Sequence, residues 1–289
     1  MVIGGKATKR SRFGFNVDDQ IKGTFEAARL VSAAGLKIHV IDSEWRMNDV
    51  LPSELESLLN LFPEVKTLLT LAAKRRDVDQ LLRLYLPIVE DFGNAGLCIV
   101  TGNRVYLESD EVSADPYESV KRVLSQVYGR VTRILLGVEG LEKYIDDIIH
   151  SYPGLKLFFL YDEGRLKAIE EYVRRGVESA VYVPYAIDKP LSDVVWTLAD
   201  YVLRRKWLRE ELKRQGYSLH SRAYLREAQP KSMEALTNAV LRLSICGSKE
   251  VVVEKMRKLK KSGVSMIVGL PVYEEPEQVH KFSECLRSL

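Results

Sequence analysis

The chain is short of the residues on which several kinds of site depend. Its 289 residues include only 3 cysteines and 4 histidines. The cysteines show no paired spacing and the histidines are scattered, so the sequence predicts neither a disulfide framework nor a metal site and favours a reducing cytoplasm. No apolar run approaches the roughly 20 residues of a membrane span, and the first residues lack the apolar segment of a secretory signal. We therefore expect a cytoplasmic protein without a membrane partner.

Several catalytic signatures are also missing. The sequence has no H-E-x-x-H, C-x-x-C, G-x-S-x-G or Walker pattern, and no G-x-G-x-x-G follows the first predicted strand. Basic and acidic residues nearly balance at 43 and 40, so no overall field favours a nucleic-acid partner. The one basic cluster lies in a predicted N-terminal extension, residues 1–11, and is either a solvated terminus or an arm that contacts phosphate. The scarcity of Asn and Gln beside abundant Lys, Arg and Glu leans towards a thermophile.

What the chain does have is a repeated unit of one short apolar strand and one amphipathic helix. The predicted strands are 12–17, 36–41, 65–71, 96–100, 131–136, 155–160, 179–183 and 264–271. The predicted helices between them include 21–34, 53–61, 77–92, 117–128, 141–150 and 166–175, while 108–115 is predicted to be a loop. Strands this apolar without alternation are typical of a parallel sheet that helices cover.

Eight such units predict an α/β fold, a (β/α)8 TIM barrel that forms one domain over residues 1–289. The largely helical and polar stretch 192–240 is expected to be an insertion between strands 7 and 8. A doubly wound open sheet is the alternative, but it usually has fewer strands and a glycine-rich first turn.

In a barrel the functional groups lie where the strands end. The second predicted strand is followed by Asp42, Glu44 and Arg46, two carboxylates and a guanidinium that suit acid–base work if burial separates their pKa values. A solvated ion cluster or a helix-capping group explains the same residues. We take Asp42 and Glu44 as the candidate catalytic residues.

The fourth and fifth predicted strands end in small polar loops. Thr101, Gly102 and Asn103 offer a hydroxyl, an unhindered backbone and an amide. Gly137 and Gly140 flank two residues ahead of a predicted helix, where backbone amides and the helix dipole suit an anion. Glycine is also common in tight turns between strands and helices, which is the alternative reading.

The later strand ends carry weaker signals. Asp162, Glu163 and Arg165 follow the sixth strand and either form a second polar group or cap the next helix. Tyr182 and Tyr185 lie at the seventh and either stack on a planar ligand or pack against helices. A site of amides, hydroxyls and aromatics fits the binding of a flat phosphorylated cofactor better than it fits the catalysis of a hydrolysis reaction.

Gly247-Ser248-Lys249-Glu250 opens a predicted helix and Ser262-Gly263-Val264 enters the eighth strand. This arrangement resembles the end of the luciferase-like flavin and deazaflavin barrels. Phe13-Gly14-Phe15 and Val40-Ile41-Asp42 follow the family's first two units. Gly137-Val138-Glu139-Gly140 resembles the family loop whose amides hold the cofactor. In pattern the chain is most similar to methylenetetrahydromethanopterin reductase, which uses the deazaflavin coenzyme F-420.

The resemblance implies an oxidoreductase that passes a hydride between coenzyme F-420 or FMN and a small-molecule substrate. It implies cofactor contacts at Thr101, Gly102, Asn103 and the loop residues Gly137, Val138 and Gly140. Arg75 and Arg76 either attract an acidic cofactor tail or begin a solvated helix. Separately, the helical stretch 195–212 carries Trp196, Trp207 and several leucines beside many charges, which suits either a partner helix in a homo-oligomer or packing on the barrel wall.

The sequence departs from the family at two places. Ser43-Glu44 replaces a histidine, and 72–76 replaces an Asn-Pro segment. Two alternatives follow: a catalytically degenerate relative that binds a cofactor or assembles with a partner, and a different barrel enzyme that acts on an anionic small molecule.

Overall fold

The computed structural model describes residues 17–217 and 230–289, with side chains described for 23–217 and 231–289. Strands alternate with helices along the described chain. The strands are β1 Ile38–Ile41, β2 Lys66–Ala72, β3 Ala95–Val100, β4 Ile134–Gly137, β5 Lys156–Leu160, β6 Ser179–Ile187, β7 Ile245–Gly247 and β8 Met266–Pro271. The predicted first strand, 12–17, lies outside the described residues except for Val17, at which the first helix begins.

The helices are α1 Val17–Ala33, α2 Pro52–Leu61, α3 Val78–Asp91, α4 Ser109–Ser113, α5 Pro116–Val127, α6 Ile145–Ser151, α7 Leu166–Arg174, α8 Leu191–Val202, α9 Lys206–Arg214, α10 Pro230–Leu243, α11 Lys249–Lys261 and α12 Pro276–Arg287. Two 3₁₀ turns span Arg46–Asn48 and Glu163–Arg165. None of the described helices combines the length and the apolar character that crossing a bilayer requires.

The chain divides into two compact units. The first contains the described residues up to Leu160 with Tyr172–Val181 and Val264–Val268, and the second contains Tyr161–Glu171, Tyr182–Gly263 and Gly269–Leu289. Strands β6 and β8 each begin in the first unit and end in the second. The single domain over residues 1–289 stays a prediction.

The sheet is built from parallel neighbours in chain order. Strands β1 to β5 pair consecutively, and each of these pairs is parallel. The order continues through β6 to β7, and β8 pairs with β6. Parallel pairing of consecutive strands through helical crossovers is the arrangement that the repeated sequence unit predicts.

The two faces of the first unit's sheet have different neighbours. Ile41, Leu69 and Leu97 lie in register on adjacent strands and belong to a large apolar cluster with residues of α2, α3, α5 and α6. Thr70 and Cys98, also in register, point to the opposite face because successive side chains alternate along a strand. Both faces are buried, so the strands read as continuous apolar runs.

The structure corrects several predicted boundaries. The predicted loop 108–115 contains α4. The first turn of this helix carries Glu111, whose buried side chain forms an ion pair with Arg46. The predicted helix 141–150 begins only at Ile145, because residues 139–144 form turns. Strand β7 was not predicted, and three residues are too few to give a periodic signal.

Strand β6 is longer than predicted because Pro184 does not end it. The Tyr182 carbonyl accepts from the Tyr161 N–H at 2.8 Å, and the Asp188 N–H donates to the Gly247 carbonyl at 2.9 Å. Every second residue of a strand directs its backbone N–H and carbonyl to the same side. Pro184 therefore faces the same side as Tyr182 and Asp188, at a level between their partners Tyr161 and Gly247. A proline there leaves no ladder donor unmet, which is why the strand continues through it.

The second unit has its own apolar core. Residues of α8, α9 and α10 pack together with Ala186 and Cys246, which lie in register on β6 and β7. The buried Gln278 of α12 accepts from the Ile187 N–H at 2.9 Å and donates to its carbonyl at 3.0 Å, so a side chain completes the backbone pairing at the end of β6.

Candidate functional site

Polar residues gather at the carboxyl ends of β1 to β4, all within the first unit. The backbones of β2 and β3 stay paired past the strands, since the Ala73 N–H donates to the Val100 carbonyl at 2.8 Å and the Lys74 N–H to the Thr101 carbonyl at 3.1 Å. We call this region, formed by the loops that follow β1 to β4, the carboxyl edge.

The candidate catalytic pair lies in the loop after β1. The Glu44 N–H donates to Asp42 Oδ1 at 3.2 Å, a local turn that orients the Asp42 carboxylate. Burial raises the pKa of the Cys98 thiol, and the charges of Asp42 and Glu44 raise it further. The charges of both carboxylates thus act at Cys98, which lies on the face of the sheet opposite to the apolar cluster.

Arg75, which follows β2, holds this loop in place. Its side chain is fully buried, and Nη1 donates to the Ser43 carbonyl at 3.0 Å, between the two candidate carboxylates. Asp49 receives two further bonds at 2.8 and 2.6 Å, and Asp77 receives two at 2.9 and 2.7 Å. These five bonds use every N–H of the guanidinium.

The carboxylates around Arg75 offset the electrostatic cost of burying its charge. Burial alone would lower the pKa of Arg75, but the hydrogen bonds and charges of Asp49 and Asp77 outweigh it and raise the pKa. The Arg75 hydrogen bond in turn lowers the pKa of Asp77. The prediction that Arg75 attracts a cofactor tail or lies in solvent is wrong, because its donors are all committed inside the protein.

A second ion pair joins the β1 loop to α4. Arg46 contacts the carboxylate of Glu111, whose side chain is buried. Glu111 also accepts from the Arg76 N–H at 2.8 Å and the Glu108 N–H at 2.9 Å. Burial opposes ionisation of Glu111, but these partners outweigh it and lower its pKa. Arg46 is thus part of a structural network.

The predicted cofactor contacts after β3 already have hydrogen-bond partners within the protein. The Thr101 hydroxyl donates to the Glu139 carbonyl at 3.1 Å, and Asn103 Oδ1 accepts from the Val105 N–H at 3.1 Å. Gly102 has a φ of 119°, and a Cβ there would meet Leu107 Cδ1 at 2.9 Å. Glycine is required at this turn for a local steric reason.

The loop after β4 offers less free backbone than the resemblance implies. The Val138 N–H donates to the Phe158 carbonyl at 3.1 Å, and a Cβ on Gly137 would meet Val100 at 2.9 Å. Gly140 differs: it is exposed, its φ is 80°, and the nearest atom to its would-be Cβ is Thr101 Oγ1 at 3.7 Å. Because α6 starts at Ile145, no helix dipole acts directly on this loop.

The candidates of the second unit form a separate group. Asp162 Oδ1 accepts from the Gly164 N–H at 2.9 Å, as a cap, and Arg242 donates to both Asp162 oxygens at 2.5 and 2.9 Å. Tyr185 is fully buried with its ring centroid 4.2 Å from that of Phe282. Tyr185 therefore packs against a helix instead of facing a ligand.

The sequence missed the ion network around Arg75 and Glu111. Its members come from three loops. In the sequence around each of them, the charged residues look like ordinary surface charges. Among the described residues, no group of three or more His, Cys, Asp or Glu could hold a metal ion.

Solved structures share this fold at low sequence identity. An F420-dependent secondary alcohol dehydrogenase in complex with an F420-acetone adduct aligns with a TM-score of 0.61 and 12% identity, covering 93% of this chain and 94% of that chain. The coenzyme F420-dependent tetrahydromethanopterin reductase from Methanopyrus kandleri aligns at 0.59 and 13%, with the same coverage.

A third similar structure is an FMN-bound type II Baeyer-Villiger monooxygenase, the oxygenating constituent of 3,6-diketocamphane monooxygenase of Pseudomonas putida. It aligns at 0.54 and 12% over 98% of this chain and 97% of that chain. No curated protein sequence matches the chain.

The chain thus has the α/β fold of the luciferase-like oxidoreductases that depend on F420 or FMN. It belongs to DUF7388, a family of unknown function whose model matches residues 24–279. The particular likeness to methylenetetrahydromethanopterin reductase stays a prediction, since the identities of these neighbours are nearly equal.

Proposed function

We propose that the protein is an oxidoreductase that passes a hydride between a deazaflavin, coenzyme F-420, or FMN and a small-molecule substrate. The observation that carries the proposal is the likeness in fold, over 93% or more of the chain, to enzymes whose names include F420 or FMN. A methylenetetrahydromethanopterin-type pterin is one candidate substrate. The proposed setting is the cytoplasm.

The residues present fit such a cofactor at one point of the carboxyl edge. Gly140 is exposed, and its would-be Cβ would make only ordinary contact with Thr101, at 3.7 Å from Oγ1, so a ligand can approach the backbone there. Gly102, Gly137 and Val138 instead meet steric or hydrogen-bonding needs of the protein itself. Of the predicted contacts, Thr101 and Gly140 are therefore the pair that we assign to cofactor binding.

When bound, either cofactor supplies hydride chemistry, so no protein nucleophile is needed. The protein's part is to bind, orient and control protons. Asp42 and Glu44 share one loop, and Arg75 holds the carbonyl between them, so the loop that carries both carboxylates is held at the carboxyl edge. We assign to them the binding of a polar substrate group or the holding of a proton.

Equilibrium dialysis against coenzyme F-420 and FMN, read by absorbance, tests the proposal. We expect saturable micromolar binding of one of them that Gly140→Leu abolishes. Gly154→Leu is the matched control, because Gly154 is also exposed with a left-handed φ, 86° against 80°, but lies in the turn before β5. Equal loss in both variants, or no saturable binding by the wild type, would contradict the proposal.

A second candidate function is a non-catalytic relative that acts as a cofactor-binding or assembly protein. The observation that favours it is internal bonding: the Thr101 hydroxyl, the Asn103 side-chain oxygen, the Val138 amide and the Arg75 guanidinium all have partners within the chain. The assembly role gains support if the wild type binds neither cofactor while remaining folded.

A further inference from the structure

Two cations, Lys74 and Arg104, lie in neighbouring loops of the carboxyl edge whose backbones are hydrogen-bonded to each other. Lys74 follows β2 and Arg104 lies three residues beyond Thr101, whose carbonyl the Lys74 N–H bonds at 3.1 Å. Burial lowers the pKa of Lys74, and the charge of Arg104 lowers it further. Like charges held near each other raise the energy of the free protein, and an anion between them removes that cost.

Among the described residues, neither of the two cations forms an ion pair with a carboxylate. The Lys74 ammonium donates to the Val112 carbonyl at 2.5 Å, a neutral acceptor. The charge of Asp115 acts on Lys74 in the opposite direction to that of Arg104, but the Asp115 side chain contacts the backbone instead, since its Oδ1 accepts from the Glu118 N–H at 2.9 Å as the cap of α5. Within the part of the chain that the structure describes, the exposed Arg104 side chain forms no ion pair. In contrast, Arg46, Arg75 and Arg76 are each paired with carboxylates.

An apolar surface adjoins these cations. Trp45 and Tyr106 stack with ring centroids 6.1 Å apart and an interplanar angle of 26°. Met47 and Val105 near them are 50% and 64% exposed. Large exposed apolar side chains beside unmet charge are typical of a ligand surface. A planar ligand that carries an anionic group would cover the apolar surface and contact the two cations.

We propose that Lys74 and Arg104 form an anion-binding site that holds the phosphate or carboxylate of a planar ligand. Arg104 supplies the planar fork that matches such a group, and Lys74 supplies a point charge beside Thr101. The identity of the ligand as a cofactor rests on the proposed function, whereas the anion site does not. The site differs from Arg75 and Arg76, the cations that the sequence suggested.

The test compares FMN with riboflavin, which lacks the phosphate, and with inorganic phosphate, by titration calorimetry at low ionic strength. Arg104→Gln is the main variant, because the Arg104 side chain is exposed and we expect its removal to leave the fold intact. Arg83→Gln, an exposed cation on α3, is the control for charge alone. Lys74→Gln is the second variant, checked for folding because its ammonium bonds Val112.

We expect Arg104→Gln and Lys74→Gln to weaken FMN binding by about tenfold or more, the size of a charge-assisted hydrogen bond. Riboflavin affinity should not change, Arg83→Gln should have no effect, and added salt should weaken FMN binding to the wild type. If the wild type binds phosphate in an Arg104-dependent way but neither FMN nor coenzyme F-420, the anion site stands and the proposed function fails.

Two results would overturn the anion site. One is equal affinity for phosphate-bearing ligands in the wild type and both variants. The other is a wild type that binds neither phosphate, FMN nor coenzyme F-420.

Discussion

His39 makes the stability of this protein depend on pH. It lies on β1 in register with Thr67 of β2, and it is 1% exposed. Neither of its ring nitrogens has a hydrogen-bond partner among the described residues, nor has the Thr67 hydroxyl. Burial without a partner lowers the pKa of His39 from 6.5 to about 4. The folded protein therefore holds this imidazole neutral where the unfolded chain would protonate it.

The sign and size of the effect follow from linkage. As the pH falls below 6.5 the unfolded chain gains a proton at His39, while the folded chain gains it only near pH 4, so acid favours unfolding. A depression of this size corresponds to about 3 kcal/mol of stability, lost fully below the folded pKa. Between about pH 7.5 and about pH 5 the expected loss is roughly 2 kcal/mol.

Urea unfolding across that range measures the effect. The variant His39→Phe cannot take up a proton, so its free energy of unfolding should fall by roughly 2 kcal/mol less than that of the wild type over the same interval. His150→Gln, which changes an exposed histidine on α6, is the control and should behave like the wild type. The comparison uses the pH dependence alone, so a change of packing in His39→Phe does not affect it.

Parallel stability curves for the wild type and His39→Phe would refute this reasoning. They would mean that the folded state accommodates a charged His39, for example through a bridging water to Thr67. NMR titration of the His39 ring proton provides the independent check, with a midpoint expected near pH 4.

Two further predictions concern buried polar groups. Arg75→Met removes the cation from two aspartates that it bonds at 2.6 to 2.9 Å, and should cost about 3 kcal/mol in urea unfolding. Arg130→Gln, which breaks an exposed pair with Glu90, should cost less than about 1 kcal/mol, and equal losses would contradict the role given to Arg75. Tyr185→Phe removes a buried hydroxyl without a partner, so thermal unfolding should show unchanged or increased stability, by up to about 1 kcal/mol. A clear loss would reveal a partner for that hydroxyl.

The periodic parts of the fold could be predicted because each carries its own signal. The helix predicted at 77–92 is α3 Val78–Asp91, and the strand predicted at 65–71 is β2 Lys66–Ala72. The short elements α4 and β7, of five and three residues, carry no period and were missed, and the 12-residue helix α12 was not predicted either. Pro184 was read as a stop because its neighbours across the sheet, which decide whether its missing N–H matters, cannot be known from local sequence.

The candidate site was predicted unevenly for a related reason. That Asp42, Thr101 and Gly140 lie at the carboxyl ends of their strands follows from the order of the elements. Which of their groups are already bonded does not. The Thr101 hydroxyl donates to the carbonyl of Glu139, 38 residues away along the chain. The sequence around neither residue indicates that bond.

By itself, the sequence determined the class of fold. Apolar runs, amphipathic helices and their alternation act over a few residues each, and they require a parallel sheet that helices cover. Only the tertiary structure decided which charged side chains are buried and paired. Arg75 and Arg104 look alike in the sequence, yet one has all its donors bonded and the other forms no ion pair among the described residues. The reason is physical: burial and pairing depend on which distant loops meet, and those contacts exist only once the chain is folded.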